Sequence, residues 1–144
     1  MAGLNPDSPS VQSHLSILQS VIGRMATNSS SCKTWCITVV SAIVVVVADK
    51  GRPDLVLISL LPIALFLFLD AYYLGLEREF RSHYNAFVRK LHTGEAAIED
   101  VFIVAPVSGF NSRVRAVGGA LLSDSVWLFY VFLLVMVLLS RTFF

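Results

Sequence analysis

The stretch LVLISLLPIALFLFLDAYY, residues 55–73, decides the fold, because Asp70 is its only ionisable acid or base before the tyrosine pair. A helix that crosses about 30 Å of hydrocarbon needs about 20 predominantly apolar residues. Continued to Leu76, this stretch meets that length. Upstream, CITVVSAIVVVVA at residues 36–48 is shorter. Ser31 to Thr34 can extend it if the Lys33 stem lies in lipid while its ammonium reaches the headgroups. A third apolar block, Leu121–Ser140, is long enough if Asp124 sits at the interface. Hydrophobic residues make up 56% of the 144-residue chain, above the 45–50% apolar share of ordinary soluble domains. The chain therefore reads as an all-α membrane protein.

The apolar blocks are halves of longer helical patterns at residues 11–48 and 54–92. Val11, Leu15, Leu18, Ile22 and Met25 recur in alternating steps of four and three, the spacing of a coiled-coil seam. The same steps continue through Ser29, Cys32, Cys36, Val39, Ile43 and Val46. Tyr73, Phe80, Tyr84, Phe87 and Leu91 form a second stripe on the returning pattern. Between the two lies Asp49-Lys50-Gly51-Arg52-Pro53, a short link that favours antiparallel neighbours. Each leg, if continuous, is about 57 Å long at 1.5 Å per residue, nearly twice the hydrocarbon thickness. The expected architecture is a long helical hairpin with a cytosolic stalk plus a third transmembrane helix. The two stripes could meet within one chain or between chains.

The remaining segments carry weaker signals. Residues 1–10 contain Gly3, Pro6, Asp7, Ser8 and Pro9 and read as a mobile tail, with Ser10 as helix N-cap. Pro62 is expected to kink the second span, and Gly94 to end its helix. Residues 95–120 read as a cytosolic connection. In it Val101–Val104 could be a short strand or an interfacial segment, and Gly109, Gly118 and Gly119 punctuate a loop. Residues 121–144 form the third transmembrane helix and a short tail. A cleaved signal peptide ending near Ala48 is the rival reading of the first block. The 35 residues before that block are too long and too amphipathic for an ordinary signal n-region.

Basic residues set the expected orientation in the cell membrane. With the N-terminus cytoplasmic, the inside holds Arg24, Lys33, Arg78, Arg81, Arg89, Lys90, Arg113 and Arg115, and the outside holds only Lys50, Arg52 and Arg141. The net charge of +1 gives no reason to invoke nucleic acid. Cys32 and Cys36, the only cysteines, lie one helical turn apart, poorly placed for a mutual disulfide and two ligands short of a structural zinc site.

Asp70 is the candidate functional residue, since an ionisable group in a span costs up to about 2.5–3.5 kcal/mol and calls for compensation. In an antiparallel hairpin it lies near Asn28, Ser29, Ser30 and Lys33, which offer donors and a cation. A clamp that fixes hairpin register, an ion or proton route, and simple interfacial exposure all follow from that placement. His14, His83 and His92 lack metal-ligand spacing, so neither a metal nor a cofactor is expected. The basic cluster Arg78, Arg81, Arg89 and Lys90 could meet anionic headgroups, but the interspersed Glu77 and Glu79 favour an ordinary solvated face. No phosphate-binding loop, nucleophile elbow or zinc-protease motif is present in the sequence, and no enzymatic activity is expected.

The block from His14-Leu15 through Val21-Ile22-Gly23-Arg24-Met25-Ala26-Thr27-Asn28-Ser29 to Lys33-Thr34-Trp35, with Asp70-Ala71-Tyr72-Tyr73-Leu74, Glu77-Arg78 and Phe80-Arg81, resembles a family of small uncharacterised bacterial integral membrane proteins. The resemblance covers roughly residues 11–92. Its polar positions Arg24, Asn28, Ser29, Lys33, Asp70, Tyr73, Glu77, Arg78 and Arg81 would cluster at one cytoplasmic interface, with the first six as the candidate intramembrane cluster. A looser resemblance to membrane components of anti-phage defence systems implies a membrane-perturbing effector. The leading expectation is a non-enzymatic, homo-oligomeric membrane protein that acts as such an effector or as a partner-binding subunit in bacterial defence, with the lipid bilayer and a cytosolic protein as partners. The alternatives are a small ion- or proton-conducting subunit using Asp70, and a membrane scaffold without conduction.

Overall fold

The computed structural model describes residues 4–104 and 109–143, and among these every regular element is helical. Helix α1 is Pro9–Lys50, α2 is Leu60–Thr93, α3 is Phe110–Leu121 and α4 is Asp124–Phe143. Short 3-10 helices occupy Pro53–Ser59 and Ile98–Asp100. Three helices are long and apolar enough to cross a membrane: Pro9–Lys50, the combined Pro53–Thr93 unit and Asp124–Thr142.

Helix α1 begins two residues earlier than its sequence suggests. Pro9 takes a first-turn position, where a missing N–H costs nothing, and the extended Ser8, not Ser10, is the N-cap. At the other end Gly51 adopts φ 57°, and its N–H bonds the carbonyls of Val47 and Ala48. A side chain at that left-handed position would be strained, so glycine makes the stop sharp. Gly94, at φ 73°, closes α2 in the same way.

Helices α1 and α2 pack antiparallel within one chain. Their far end is held by Val11, Phe87, Leu91 and Ala96, with Leu4, Leu15 and Val101 packed around them. Leu4 thus covers part of the apolar tip, and Gln12 Nε2 donates to the Pro6 carbonyl. Of the tail expected to be mobile, Leu4 onward is bound in this way, while residues 1–3 lie outside the described residues. At the other end a larger core joins Cys36, Val40 and Val47 of α1, Val56 and Ile63 of the returning leg, and Val126, Tyr130 and Val137 of α4.

The buried face of α1 departs from the alternating seam. Val11, His14, Leu18, Val21, Ser29, Cys32, Cys36, Val40 and Val47 are buried, whereas Val39 and Val46 are exposed. A straight helix repeats every 3.6 residues, so the interval from Val11 to Val47 is about ten whole turns. A seam of 3.5 residues drifts off that face and reaches Val46 instead, the offset that only supercoiling would remove.

Three further expectations are corrected. Pro62 does not fall in mid-helix: the leg starts as a 3-10 helix and changes to α at Leu60, so Pro62 lies in the first turn of α2. Val101–Val104 is not a strand; a 3-10 turn at Ile98–Asp100 precedes it, and Phe102 takes φ 70°. Gly118 and Gly119 do not mark a loop but lie inside α3. Their low helix propensity is overridden by packing on α2, where Gly75 lets α3 approach so closely that an added Cβ would stand 3.3 Å from the backbone of Ala116 and Val117.

Candidate functional site

The polar centre of the molecule forms where small side chains let the two long helices approach. On α1, Ser29, Cys32 and Cys36 face inward. On α2, Asp70 and Ala71 are fully buried. Burial of a carboxylate without partners is strongly unfavourable. Two partners from α1 offset it: Ser29 Oγ donates to Oδ1 at 2.5 Å, and Lys33 Nζ lies 2.6 Å from Oδ2. Ser29 and Lys33 are four residues apart and share one face, so a single carboxylate bridges successive turns of α1. The Lys33 side chain remains 19% exposed, which lets its stem cross apolar surface while its ammonium reaches the acid.

Helix α4 closes the third side. Tyr130 is buried in the shared core, and its hydroxyl faces the Asp70 carboxylate without making a well-directed hydrogen bond. Around the same level stand exposed Trp35, the edge-to-face pair Tyr72 and Tyr73 with ring centres 5.7 Å apart, and Trp127, whose Nε1 donates to Asp124. At the opposite end of these helices Arg141 Nη2 donates to Asp54 at 2.8 Å, joining α4 to the start of the returning leg.

The structure brings together Asp70, Lys33 and Ser29, but not the whole candidate cluster. Asn28 is half-buried and Arg24 is exposed, and among the described residues neither makes an ion pair or side-chain hydrogen bond with Asp70. Tyr73 packs on Tyr72. Tyr130 was missed because nothing in the hairpin's periodicity tells which face of a later helix returns to it. Arg78 was also read too simply as a solvated residue: it donates to the Gly119 carbonyl and to Ser123 Oγ, pinning the end of α3. Glu77 is buried and pairs with Arg81 one turn on. Among the described residues no group of three or more His, Cys, Asp or Glu is placed to hold a metal ion, and Cys32 and Cys36 are both free thiols.

A second polar constellation lies at the far end of the α1–α2 pair. His14 is fully buried, packs edge-to-face on Phe87, and accepts the Phe102 N–H at Nδ1, 3.1 Å away. Its Nε2 is buried without a partner. Burial holds the imidazole below its ordinary pKa; the neighbouring His83 acts in the same direction and Asp100 opposes. Asp100 is itself held below the usual carboxylate range by its hydrogen bond from Lys90 and by the Ala97 N–H. This residue was legible after all, since steps of three from Val11 and four to Leu18 put His14 on the buried face.

The arrangement at Asp70 is a three-helix junction organised around one acid paired with Lys33 and Ser29. Compared with known proteins, the chain matches no family model, no curated protein and no solved structure.

Proposed function

We propose that this chain is a non-enzymatic, multi-pass protein of the cell membrane, N-terminus cytoplasmic, whose helical stalk assembles copies of the chain or receives a cytosolic protein. In this reading the hydrocarbon lies between the Lys33–Asp70 pair and the Asp54–Arg141 pair. Lys33 to Lys50 and Asp124 to Arg141 each advance about 26 Å along a helix, close to the hydrocarbon thickness of about 30 Å. Trp35, Tyr72, Tyr73 and Trp127 then form an aromatic belt at the cytoplasmic boundary.

The observation that carries the assembly reading is at the stalk tip. Ile98, Phe102 and Ile103 are exposed there, by 77% in the case of Ile98. From Asp70 to Leu91 the stalk rises about 31 Å, beyond the reach of lipid, so these side chains meet water unless another protein covers them. A self-associating stalk places this patch against a second copy. The membrane-perturbing role in bacterial defence rests on the resemblance of residues 11–92 and is part of the proposal at that level only. Conduction through Asp70 is less well supported, because Lys33 and Ser29 already occupy its oxygens.

Three experiments test this reading. A reporter fused after Phe144 should be periplasmic and one inserted near Thr93 cytoplasmic; both on one side refutes three spans. Ile98→Asp with Ile103→Asp should lower the oligomer size measured by light scattering in detergent while helicity is retained. An unchanged oligomer, or a wild-type monomer that binds no cytosolic protein, overturns the stalk's role. Ion flux in vesicles that is lost on Asp70→Asn, with assembly intact, would replace it by the conducting subunit.

A further inference from the structure

We infer that α3 is an interfacial helix that binds the headgroups of anionic phospholipids in the cytoplasmic leaflet through Arg113 and Arg115, an inference that rests on the membrane placement proposed above. Its position comes first. The α2 residues that α3 touches run from Tyr72 to Glu79, with Gly75 against Ala116 and Val117 and Arg78 against Gly119 and Ser123. These residues lie about 3–14 Å past Asp70 along the helix axis. The headgroup region extends about 5–8 Å beyond the hydrocarbon on each side, so α3 overlaps it and follows it outward.

The chemistry of its surface fits that depth. Val114 is 56% exposed and Leu122, just past the helix, is 81% exposed. With Gly118 and Leu121 they form one side of the helix, since 114, 118 and 121 share a helical face. In water this side would be an unexplained apolar strip, whereas at the boundary it faces acyl chains. Ser112, Arg115 and Gly119 occupy another side, and Arg113 flanks the groove beside Tyr72 and Leu76. Exposed arginines beside an apolar strip are the pattern of a helix at the membrane interface. Among the described residues Arg115 makes no ion pair, so its guanidinium is available to a phosphate.

Three attachments hold the helix at this depth. Gly75 sets the close contact, Arg78 fixes the C-terminal end, and the short connection at Leu122–Ser123 leads directly into α4, whose first residue is Asp124. The arginines are thus presented by a framework that exists before lipid binds, which lowers the ordering cost of binding. Arg89 supplies a comparison: it is also basic and exposed, but it lies about 28 Å past Asp70, too far for a headgroup.

The test is native mass spectrometry of the full chain in detergent, titrated with phosphatidylglycerol or phosphatidylcholine, alongside alkaline extraction of membranes that contain it. Wild type should retain phosphatidylglycerol about thirtyfold over phosphatidylcholine, the scale expected for two basic side chains at about 1 kcal/mol each at an anionic surface. Arg113→Gln with Arg115→Gln should bring the two lipids to parity, Arg113→Lys with Arg115→Lys should keep most of the preference, and Arg89→Gln should leave it unchanged. Parity in the wild type, or an equal loss in Arg89→Gln, overturns the inference while the chain still resists alkaline extraction. Release of the chain by alkali overturns the membrane placement itself, and the inference with it.

Discussion

Lys33 Nζ lies 2.6 Å from Asp70 Oδ2, and the acid is fully buried while the lysine keeps an edge to the outside. The pair thereby fixes the register of α1 against α2 at one level. A slip of either helix by a residue would separate the charges or carry the ammonium inward, and each outcome leaves an uncompensated charge in a low-dielectric setting.

Removal of either partner should therefore destabilise the α1–α2 pair, Asp70→Ala less than Lys33→Ala, because the lysine left behind can turn toward solvent and the acid cannot. A double-mutant cycle on unfolding in detergent should give a coupling of about 0.6–1.7 kcal/mol, the range of interhelical polar contacts in membranes. Additive effects would show that the contact does not hold register.

The close contact at Gly75 gives a sharper structural prediction. Gly75→Val should push α3 off α2, since the added atoms meet backbone that cannot rotate away. Trypsin should then cut faster at Arg113 and Arg115. Gly118→Ala, which enters open space on the same helix, should instead stabilise α3 by about 0.5–1 kcal/mol. Equal cleavage of the Gly75 variant and wild type would show that α3 is not held by that approach.

The stalk tip should loosen in acid. His14 can accept the Phe102 N–H only while Nδ1 is unprotonated, and the positive φ at Phe102 is a strained conformation that this bond helps to hold. Because the folded pKa is lowered from 6.5, the contribution is complete above about pH 6.5 and is lost as pH falls from there through the folded value. The ion pair of Asp100 with Lys90 does not titrate in that window, since its carboxyl is held below 3.8. Amide exchange at Phe102, corrected for intrinsic pH dependence, should be faster at pH 5.5 than at pH 7.5, and His14→Phe should be fast at both. A wild-type rate ratio of one would assign the loop's order to packing alone.

Leu18 and Phe87 should be the sensitive positions of the stalk. Both are buried, and Leu18→Asp or Phe87→Asp should sharply lower the thermal unfolding midpoint through an unpaired buried charge. Ile17→Asp, at a partly exposed neighbour, should cost far less. If all three variants melt alike, the packed stalk is wrong.

The sequence by itself determined the three apolar helices, the turn at Gly51, the stop at Gly94 and the neighbourhood of Asp70 and Lys33. Each depends on a local period, a local backbone requirement or a short antiparallel link, and these are written in consecutive residues. Only the tertiary structure decided that Ser29 and not Asn28 holds Asp70: the seam carried Ser29 inward, but which donor at this level meets the acid depends on how α1 is rotated against α2, and packing along the whole pair sets that rotation. It also decided that Tyr130 reaches this acid and that α3 is a helix. Both depend on how α4 and α3 return to α2, and Gly118 and Gly119 point away from helix until the surface of α2 at Gly75 outweighs them. His14 shows both sides: its place on the buried face follows from spacing alone, but its bond to Phe102, 88 residues on, exists only once the chain has folded back.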